Sequence, residues 1–225
     1  MRIASEILTQ YQPMERVLYM TKLIIVRHGN TFAPYETPLR VGARTDIPLV
    51  DSGKQQAKKV GEWLKQNHLI PDKIYTSELQ RTFQTAELIV NELNTDIPII
   101  KDPKFNEIDY GPDEGKSDAE VINRIGEAAI KMWDENAIVP HGWQVDPKII
   151  IQNWLVFGKF IEEKHKDQII LVVTSNGIAR FAPYLTGQFE PFKAQHSIKI
   201  STGALCILEI INNNWQVERW NFRPT

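Results

Sequence analysis

The sequence predicts an α/β fold, a three-layer α/β/α sandwich with a mostly parallel central sheet and a helical cap. Two short apolar runs, residues 23–26 and 169–173, have the composition of buried strands. Amphipathic segments with helix-start signals alternate with such runs along the chain. Because this alternation is typical of sheets covered by helices on both faces, it favours the three-layer arrangement. We expect the sheet to contain strands near 22–27, 73–76, 169–174 and 203–210.

Two further strands are predicted at the margins of the sheet. Residues 97–100 include Pro98, which is typical of an edge strand or of the start of a strand. Residues 215–220 predict a second closing strand after 203–210, and the three asparagines at 212–214 predict the turn between them.

Helix-start signals occur at four places. A serine followed three residues later by glutamine or glutamate is the pattern of a capping box, and it occurs twice. Proline suits the first position of a helix, and an apolar face at helical spacing marks the helix that follows the first loop. The signals lie at Asp51, at Ser77 with Gln80, at Ser117 with Glu120, and at Pro147.

The composition excludes several classes of function. The 225 residues are 42% hydrophobic and 24% charged with a net charge of -2, which is ordinary globular composition. Since no long basic run occurs, we expect no nucleic-acid partner. No apolar run approaches the roughly 18 residues of a membrane span, so we expect no membrane partner and a cytoplasmic protein. The single cysteine, Cys206, excludes an internal disulfide, and its apolar neighbours predict a buried position.

We expect one domain over residues 21–225, preceded by an N-terminal extension at 1–20. The extension lacks the apolar core of a signal peptide, and it is either a helical arm on the surface or an upstream addition to a domain that begins at Met20. Consecutive helices without an intervening strand predict a helical excursion at 116–166, which we expect to cap a pocket. The tryptophans expected to pack in its core are Trp133, Trp143 and Trp154.

A cation and an imidazole follow the first predicted strand. Arg27 and His28 lie where the strand ends, and Gly29 allows a sharp turn or a close approach of the backbone to a ligand. Because ligands of open α/β sheets bind beyond the carboxyl ends of the strands, these side chains are expected at a pocket mouth. Taken alone, the tripeptide is equally typical of a strand that ends in ordinary polar residues.

Other candidates follow two further strands. Arg81 is expected in the first turn of a helix, where free N–H groups and the helix dipole already favour anions. The alternative for Arg81 is a surface residue that pairs along the helix. The strand at 169–174 ends in Ser175, Asn176 and Gly177, again at a helix start.

Residues 106–115 form a loop rich in glycine and carboxylates. One carboxylate is a candidate general acid, and the alternative is that all four are solvated. Two arginines in an earlier loop either line an anion site or face solvent. The loop carboxylates are Glu107, Asp109, Asp113 and Glu114, and the two arginines are Arg40 and Arg44.

Together these segments resemble the histidine phosphatase superfamily, in its phosphoglycerate-mutase-like branch. Residues 27–31 are similar to its Arg-His-Gly-Gln/Glu-Thr signature, and residues 77–86 to its Ser-x-Leu-x-Arg-Ala-x-Gln-Thr-Ala motif. The loop at 106–115 is similar to the one that carries the family's proton donor, and residues 42–53 fit the segment before the first helix. The resemblance covers residues 21–220, with the motifs in the family's order.

The resemblance implies a phosphatase that uses no metal and no cofactor. His28 would attack phosphorus through one ring nitrogen and become a phosphohistidine, while its other nitrogen donates to a backbone carbonyl near Gly29. The charges of Arg27 and Arg81 should lower the pKa of His28. Glu107 would protonate the leaving alcohol and then deprotonate water. The residues implied in phosphate binding are Arg27, Asn30, Arg81, Ser175 and Asn176.

The sequence departs from the family's pattern at Ser175. The fourth motif of the family is Ser/Thr-His-Gly-Gly, and its second catalytic histidine falls on this uncharged residue. Two hypotheses follow: a phosphatase acting on a small phosphorylated metabolite, with weakened activity, or an impaired module that binds a phospho-ligand, such as inorganic phosphate, or a protein. A mutase is less favoured because the Arg-Ser-Tyr-Asp stretch of the mutases does not occur between Gly115 and Ile169.

Overall fold

The central sheet has six strands in the order β3-β2-β4-β1-β5-β6. The computed structural model describes residues 20–225, so the predicted extension lies outside the described residues except for Met20. Strands β1 to β4 are mutually parallel where they pair, β5 runs antiparallel to β1, and β6 runs antiparallel to β5. The predicted α/β class with a mostly parallel sheet is therefore confirmed. The strands are β1 (Lys22–Arg27), β2 (Lys73–Thr76), β3 (Ile99–Lys101), β4 (Ile169–Thr174), β5 (Leu205–Ile211) and β6 (Asn214–Phe222).

Helices cover both faces of the sheet. Successive side chains of a strand point to opposite faces, so Ile24 and Val26 of β1 pack with helices α1 and α2, whereas Leu23 and Ile25 pack on the face that carries α5. Both faces of β1 are thus buried, which explains its unbroken apolar run. The helices are α1 (Asp51–Gln66), α2 (Gln80–Leu93), α3 (Asp118–Ile125), α4 (Glu127–Asn136), α5 (Pro147–Lys164), α6 (Asn176–Ala179) and α7 (Phe189–Gln195).

One of the two predicted capping boxes is present. Ser117 Oγ accepts a hydrogen bond from the Glu120 backbone N–H at 3.4 Å, and the Glu120 carboxylate accepts one from the Ser117 N–H at 2.8 Å. The prediction at Ser77 is wrong, because α2 begins later and its N-cap residue is Leu79. Ser77 is buried and its hydroxyl is 2.5 Å from Thr82 Oγ1, so it braces the connection between strand and helix instead.

The segment at 116–166 divides into two parts. Helices α3 and α4 supply Asp118, Trp133 and Asp134 to the wall of a cavity. Helix α5, by contrast, packs on the sheet through buried residues such as Trp154 and Phe157 and belongs to the outer layer of the sandwich. This division departs from the expectation that the whole excursion caps the pocket, and the reason is the long apolar face of α5. The tryptophans predicted to be core are buried: Trp133, Trp143 and Trp154.

The turn between β5 and β6 is shorter than expected. Only Asn212 and Asn213 connect the strands, with φ angles of 50° and 60°. Asparagine tolerates this left-handed conformation, which two-residue hairpin turns require. Cys206 is buried on β5, and burial raises the pKa of its thiol to about 12. Among residues 20–225, we find no helix with the length and apolar character needed to cross a bilayer.

Candidate active site

A cavity of about 490 Å³ opens at the carboxyl ends of β1 and β4. These two strands are neighbours, with Arg27 paired to Thr174, and the His28 N–H donates to the Thr174 carbonyl at 3.0 Å. The residues that follow the two strands are therefore brought side by side at one edge of the sheet, as expected for a ligand site in this fold. Five of the seven predicted site residues line the cavity: Arg27, His28, Asn30, Glu107 and Asn176.

His28 lies in the cavity wall with a defined tautomer. Its Nδ1 is 2.8 Å from the Gly29 carbonyl oxygen, the contact expected from the sequence, so Nδ1 carries the proton and Nε2 keeps the lone pair. Burial holds the pKa of His28 well below its usual value, and the charges of Arg81 and Arg27 lower it further. The imidazole is therefore neutral at physiological pH and suited to act as a nucleophile.

Gly29 packs closely against the first turn of α1. A Cβ atom on Gly29 would lie 2.3 Å from the carbonyl oxygen of Gly53, and one on Gly53 would lie 2.1 Å from the carbonyl oxygen of Asn30. Both distances are shorter than any real carbon contact, so the two glycines let the His28 loop and the helix start touch through their backbones. The close backbone approach at Gly29 is thus made to the first turn of α1 and not, as expected, to a ligand.

Arg81 is fully buried behind the cavity wall. In the first turn of α2, as predicted, its guanidinium donates to the carbonyls of Thr45 at 2.8 Å and Gly42 at 3.2 Å. These bonds hold the loop that precedes α1, and the alternative of a surface arginine is wrong because the side chain is 0% exposed. Its Nε has no hydrogen-bond partner among the described residues. Arg81 therefore acts on His28 through its charge, from behind the loop that it holds.

Arg27 and Asn30 line the cavity together with His28. Arg27 Nη1 donates to the Ile200 carbonyl at 2.5 Å, while its Nε finds no partner within residues 20–225. Asn30 Oδ1 accepts from Thr202 Oγ1 at 2.5 Å, and its Nδ2 donates to Ser52 Oγ at 3.3 Å. The Asn30 side chain is thus held at the cavity rim, and the Arg27 guanidinium is partly engaged with the protein.

Glu107 is a buried carboxylate held by three donors. Its Oε1 accepts from the Ile108 N–H at 2.9 Å, and its Oε2 accepts from the Gly177 N–H at 3.3 Å and from the Tyr110 hydroxyl at 3.5 Å. Burial and the charge of Glu107 raise the pKa of Tyr110, so its hydroxyl keeps its proton and remains a donor. The carboxylate thus has a fixed place in the cavity wall.

The other carboxylates of this loop have structural partners. Asp109 accepts from Arg44 Nε at 3.1 Å, Glu114 accepts from the Arg44 N–H at 2.6 Å, and buried Asp113 pairs with Arg124. The hypothesis that all four carboxylates are merely solvated is therefore wrong. Glu107 alone among them lines the cavity.

Ser175 and Asn176 have different positions after β4. Asn176 lines the cavity, and its Oδ1 accepts from the Ile200 N–H at 2.8 Å. Ser175 is fully buried and does not form part of the cavity wall, and its Oγ has no hydrogen-bond partner in the described chain. Since Arg27 pairs with Thr174, Ser175 nevertheless follows the strand end next to His28.

The structure adds cavity residues that sequence reasoning missed. The principal ones are Tyr110, Asp134, Arg180, Lys199 and Thr202. The sequence offered one signal for these residues: Arg180 lies in the helical turn that follows the strand at 169–174. Of the two candidate loop arginines, Arg40 lines the cavity and pairs with Asp118 at 3.0 Å, whereas Arg44 pairs with the acidic loop outside it.

The cavity wall combines cations with carboxylates. The lining cations are Arg27, Arg40, Arg180 and Lys199, and the lining carboxylates are Glu36, Glu107, Asp118 and Asp134. A neutral imidazole, a buried carboxylate and several guanidinium groups within one cavity can bind an anion, attack it and move a proton.

Comparison with known proteins gives relatives in both sequence and structure. The chain is 30% identical to a 2,3-bisphosphoglycerate-dependent phosphoglycerate mutase of Bifidobacterium longum, over 56% of this chain and 50% of that protein. It is 35% identical to phosphoglycerate mutase 1 of Saccharomyces cerevisiae, over 54% of this chain and 49% of that protein. The aligned part of the chain thus spans about half the length of these curated relatives.

Solved structures share the fold at lower sequence identity. A mycobacterial glucosyl-3-phosphoglycerate phosphatase superposes with a TM-score of 0.74 at 20% identity, over 89% of this chain and 98% of that one. The α-ribazole phosphatase of Shigella flexneri superposes with a TM-score of 0.68 at 22% identity, over 90% and 96% of the two chains. The family described as the histidine phosphatase superfamily, branch 1, matches residues 23–223. This chain therefore belongs to the histidine phosphatase superfamily and has phosphoglycerate-mutase-like homologues.

Proposed function

We propose that the protein is a metal-independent phosphomonoesterase that works through a phosphohistidine at His28. The observation that carries this proposal is the state of His28: a buried, neutral imidazole with Nδ1 bonded to the Gly29 carbonyl and Nε2 left as the nucleophile. Such an arrangement suits attack on phosphorus, because the nitrogen that attacks must carry a lone pair.

Two arginines supply the positive charge that the phosphoryl group requires. Arg27 and Arg81 both lower the pKa of His28, so both charges act at the imidazole, and the Nε atom of each has no partner among the described residues. We assign the Arg27 Nε–H group to the phosphoryl oxygens, with Arg81 acting through its charge and Asn30 and Asn176 as neutral donors. Guanidinium charge of this kind takes the part that Mg²⁺ plays in other phosphoryl-transfer sites.

Glu107 is the proton donor and acceptor in this proposal. In the first step, His28 Nε2 bonds to phosphorus, the bond to the leaving oxygen breaks, and protonated Glu107 gives its proton to that oxygen. In the second step, Glu107 takes a proton from water as the water oxygen bonds to phosphorus, and the bond to His28 breaks. Phosphate leaves, and His28 is neutral again. The Gly177 N–H and the Tyr110 hydroxyl hold the carboxylate in position between the steps.

The residue at position 175 determines how fast we expect the proposed phosphatase to turn over its substrate. We assign Ser175 to the place of the family's second catalytic histidine, where a hydroxyl brings no charge to the transferring group. Loss of one preorganised donor commonly costs ~10²–10³ in rate, so we expect slow turnover.

The known relatives support a phosphatase-type enzyme. Neighbouring structures are those of phosphatases, whereas the curated relatives are phosphoglycerate mutases of which this chain spans about half. The chain lacks the Arg-Ser-Tyr-Asp stretch of the mutases between Gly115 and Ile169, and this absence favours transfer to water over transfer to a second hydroxyl. The second candidate is a phospho-ligand-binding protein without turnover, and Ser175 is the observation that favours it.

Turnover of an aryl phosphate and of a panel of small phosphomonoesters tests the proposal. We expect slow hydrolysis by the wild type, none by His28→Ala, and normal hydrolysis by His141→Ala, which removes an exposed imidazole outside the cavity. Rapid quenching in alkaline detergent, with substrate radiolabelled in its phosphoryl group, should trap an acid-labile, base-stable phosphoprotein in the wild type and in His141→Ala but not in His28→Ala. A silent wild type that still binds phosphate would favour the binding protein, and activity in His28→Ala would overturn the mechanism.

A further inference from the structure

Arg180 is a buried cation in the cavity wall that the proposed reaction does not use. It follows α6 and is 0% exposed, yet its side chain borders the same cavity as His28 and Glu107. Burial lowers the pKa of its guanidinium, so the charge is maintained at a cost in desolvation. A buried charge of this kind requires partners.

Three contacts hold the guanidinium rigidly. Nη1 donates to the Trp133 carbonyl at 2.6 Å, Nε donates to the Asn176 carbonyl at 3.3 Å, and the Cζ atom lies 4.3 Å from the centre of the Trp133 ring. The Trp133 carbonyl belongs to helix α4, and the Asn176 carbonyl belongs to the first turn after β4. The side chain therefore joins the two walls of the cavity in a single orientation.

The remaining nitrogen of Arg180 is left without a hydrogen bond. Nη2 finds no acceptor within hydrogen-bond distance among residues 20–225. Nη2 forms a long ion pair with Asp134 Oδ1, at 3.6 Å, while the other oxygen of Asp134 accepts from Lys199 Nζ at 2.7 Å. Since buried donors in proteins are almost always paired, this N–H group is suited to an acceptor that the chain itself does not provide.

Arg180 lies on the side of the cavity that holds Glu107. It bonds to Asn176, and the next residue, Gly177, donates to the Glu107 carboxylate. The charge of Arg180 also lowers the pKa of Tyr110, whose hydroxyl contacts the Glu107 carboxylate at 3.5 Å. In the proposed reaction Glu107 faces the leaving oxygen, and this would place Arg180 on the side of the alcohol part of the substrate.

We propose that Arg180 is a specificity-determining residue whose Nη2 binds a second anionic group on the leaving alcohol. This assignment rests on the proposed phosphatase function and narrows its substrates to phosphomonoesters that also carry a carboxylate or a second phosphate. A guanidinium already fixed by stacking loses little freedom on binding, which makes such recognition selective.

Matched pairs of phosphate esters test the assignment. In each pair only the presence of a carboxylate differs: 2-phosphoglycolate against 2-hydroxyethyl phosphate, and 3-phosphoglycerate against glycerol 3-phosphate. We expect the wild type to prefer the acid in at least one pair by about tenfold or more in kcat/KM, the gain of one charge-assisted hydrogen bond. Arg180→Gln should remove most of that preference, because kcat/KM for the acid should fall by about tenfold more than kcat/KM for its neutral partner. Arg180→Lys should retain part of the preference.

Arg219→Gln is the matched control. Arg219 is exposed, packs on the rings of Trp63 and Phe222, and lies outside the cavity, so its loss removes a charge without touching the site. Equal activity of the wild type on acid and alcohol in both pairs would overturn the assignment. If Arg180→Gln loses activity on the acid and on its neutral partner equally, Arg180 has a purely structural role. If Arg180→Gln does not fold, the preference of the wild type and the preference of Arg180→Lys test the assignment.

Calorimetric binding to His28→Ala separates this assignment from the phosphatase proposal. The same four compounds are titrated into a protein that cannot turn them over. If His28→Ala binds the acids more tightly than their neutral partners, and the double variant with Arg180→Gln does not, the Arg180 contact is supported. This holds even if the wild type hydrolyses none of the compounds. Hydrolysis of all four compounds without any preference in binding would retain the phosphatase and reject the role of Arg180.

Discussion

Gly177 and Glu107 are in direct contact beside the cavity, and the contact depends on the missing side chain of Gly177. Its N–H donates to Glu107 Oε2 at 3.3 Å, while a Cβ atom at Gly177 would lie 2.2 Å from Glu107 Oε1. The carboxylate therefore occupies the space that any other residue at 177 would fill.

Replacing Gly177 with alanine should displace Glu107, the proposed proton donor. We expect Gly177→Ala to lower kcat by ~10² or more, within the range ascribed to general acid–base groups, while far-UV circular dichroism stays unchanged. The check is a double-mutant cycle with Glu107→Gln: once the carboxylate is gone, Gly177→Ala should have little further effect. Full additivity of the two losses would show that Gly177 acts by another route.

The lowered pKa of His28 predicts a pH dependence of stability. The folded state binds this proton less readily than the unfolded chain, whose histidine titrates near 6.5, so unfolding takes up protons below that pH. The contribution of neutral His28 is therefore present above about pH 6.5 and is lost as the pH falls from there toward the folded pKa. Urea unfolding at a series of pH values gives the free energy of unfolding as a function of pH. Below pH 6.5 this free energy should change less steeply with pH for His28→Gln than for the wild type. Identical slopes would contradict the lowered pKa of His28.

The Ser175 position predicts a gain of function. Ser175 follows the strand end next to His28, and its Oγ has no hydrogen-bond partner in the described chain, so a histidine there replaces no existing bond. We expect Ser175→His to raise turnover of an aryl phosphate, with a ceiling of ~2.7–4 kcal/mol in barrier, the loss seen when comparable donors are deleted. Ser175→Ala is the control and should not gain activity. The gain must also vanish in the double variant with His28→Ala, since a rise that survives there would come from a different reaction.

Anions should bind beside His28 without a metal. Vanadate, sulfate and phosphate are expected to compete for the site, because the charges of Arg27 and Arg81 converge on the imidazole. Calorimetry should give the same vanadate affinity with and without EDTA, and Arg27→Met should weaken it by roughly tenfold or more. Arg44→Met is the control, because Arg44 pairs with Asp109 outside the cavity. Binding that disappears with EDTA would mean that a metal, rather than the arginines, holds the anion.

The sequence by itself determined the sheet and the place of His28, the proposed nucleophile. The apolar runs before His28 and Ser175 are strands β1 and β4, and Arg81 is in the first turn of α2, as predicted. These features could be predicted because strand and helix periodicity, like the position of a residue at the end of a run, is a property of neighbouring residues. The capping box predicted at Ser77 is wrong because a local pattern does not reveal which groups a buried side chain meets. The Ser77 hydroxyl contacts the Thr82 hydroxyl instead of capping the helix.

Only the tertiary structure decided which polar residues share the cavity. Arg40 and Arg44 are alike in sequence, yet the first meets Asp118 in the cavity wall and the second meets Asp109 outside it. Arg180 becomes a cavity residue only because α4 brings the Trp133 carbonyl and ring to its guanidinium, across 47 positions of the chain. Such contacts depend on how distant segments pack, and local sequence patterns carry no information about the distance between them.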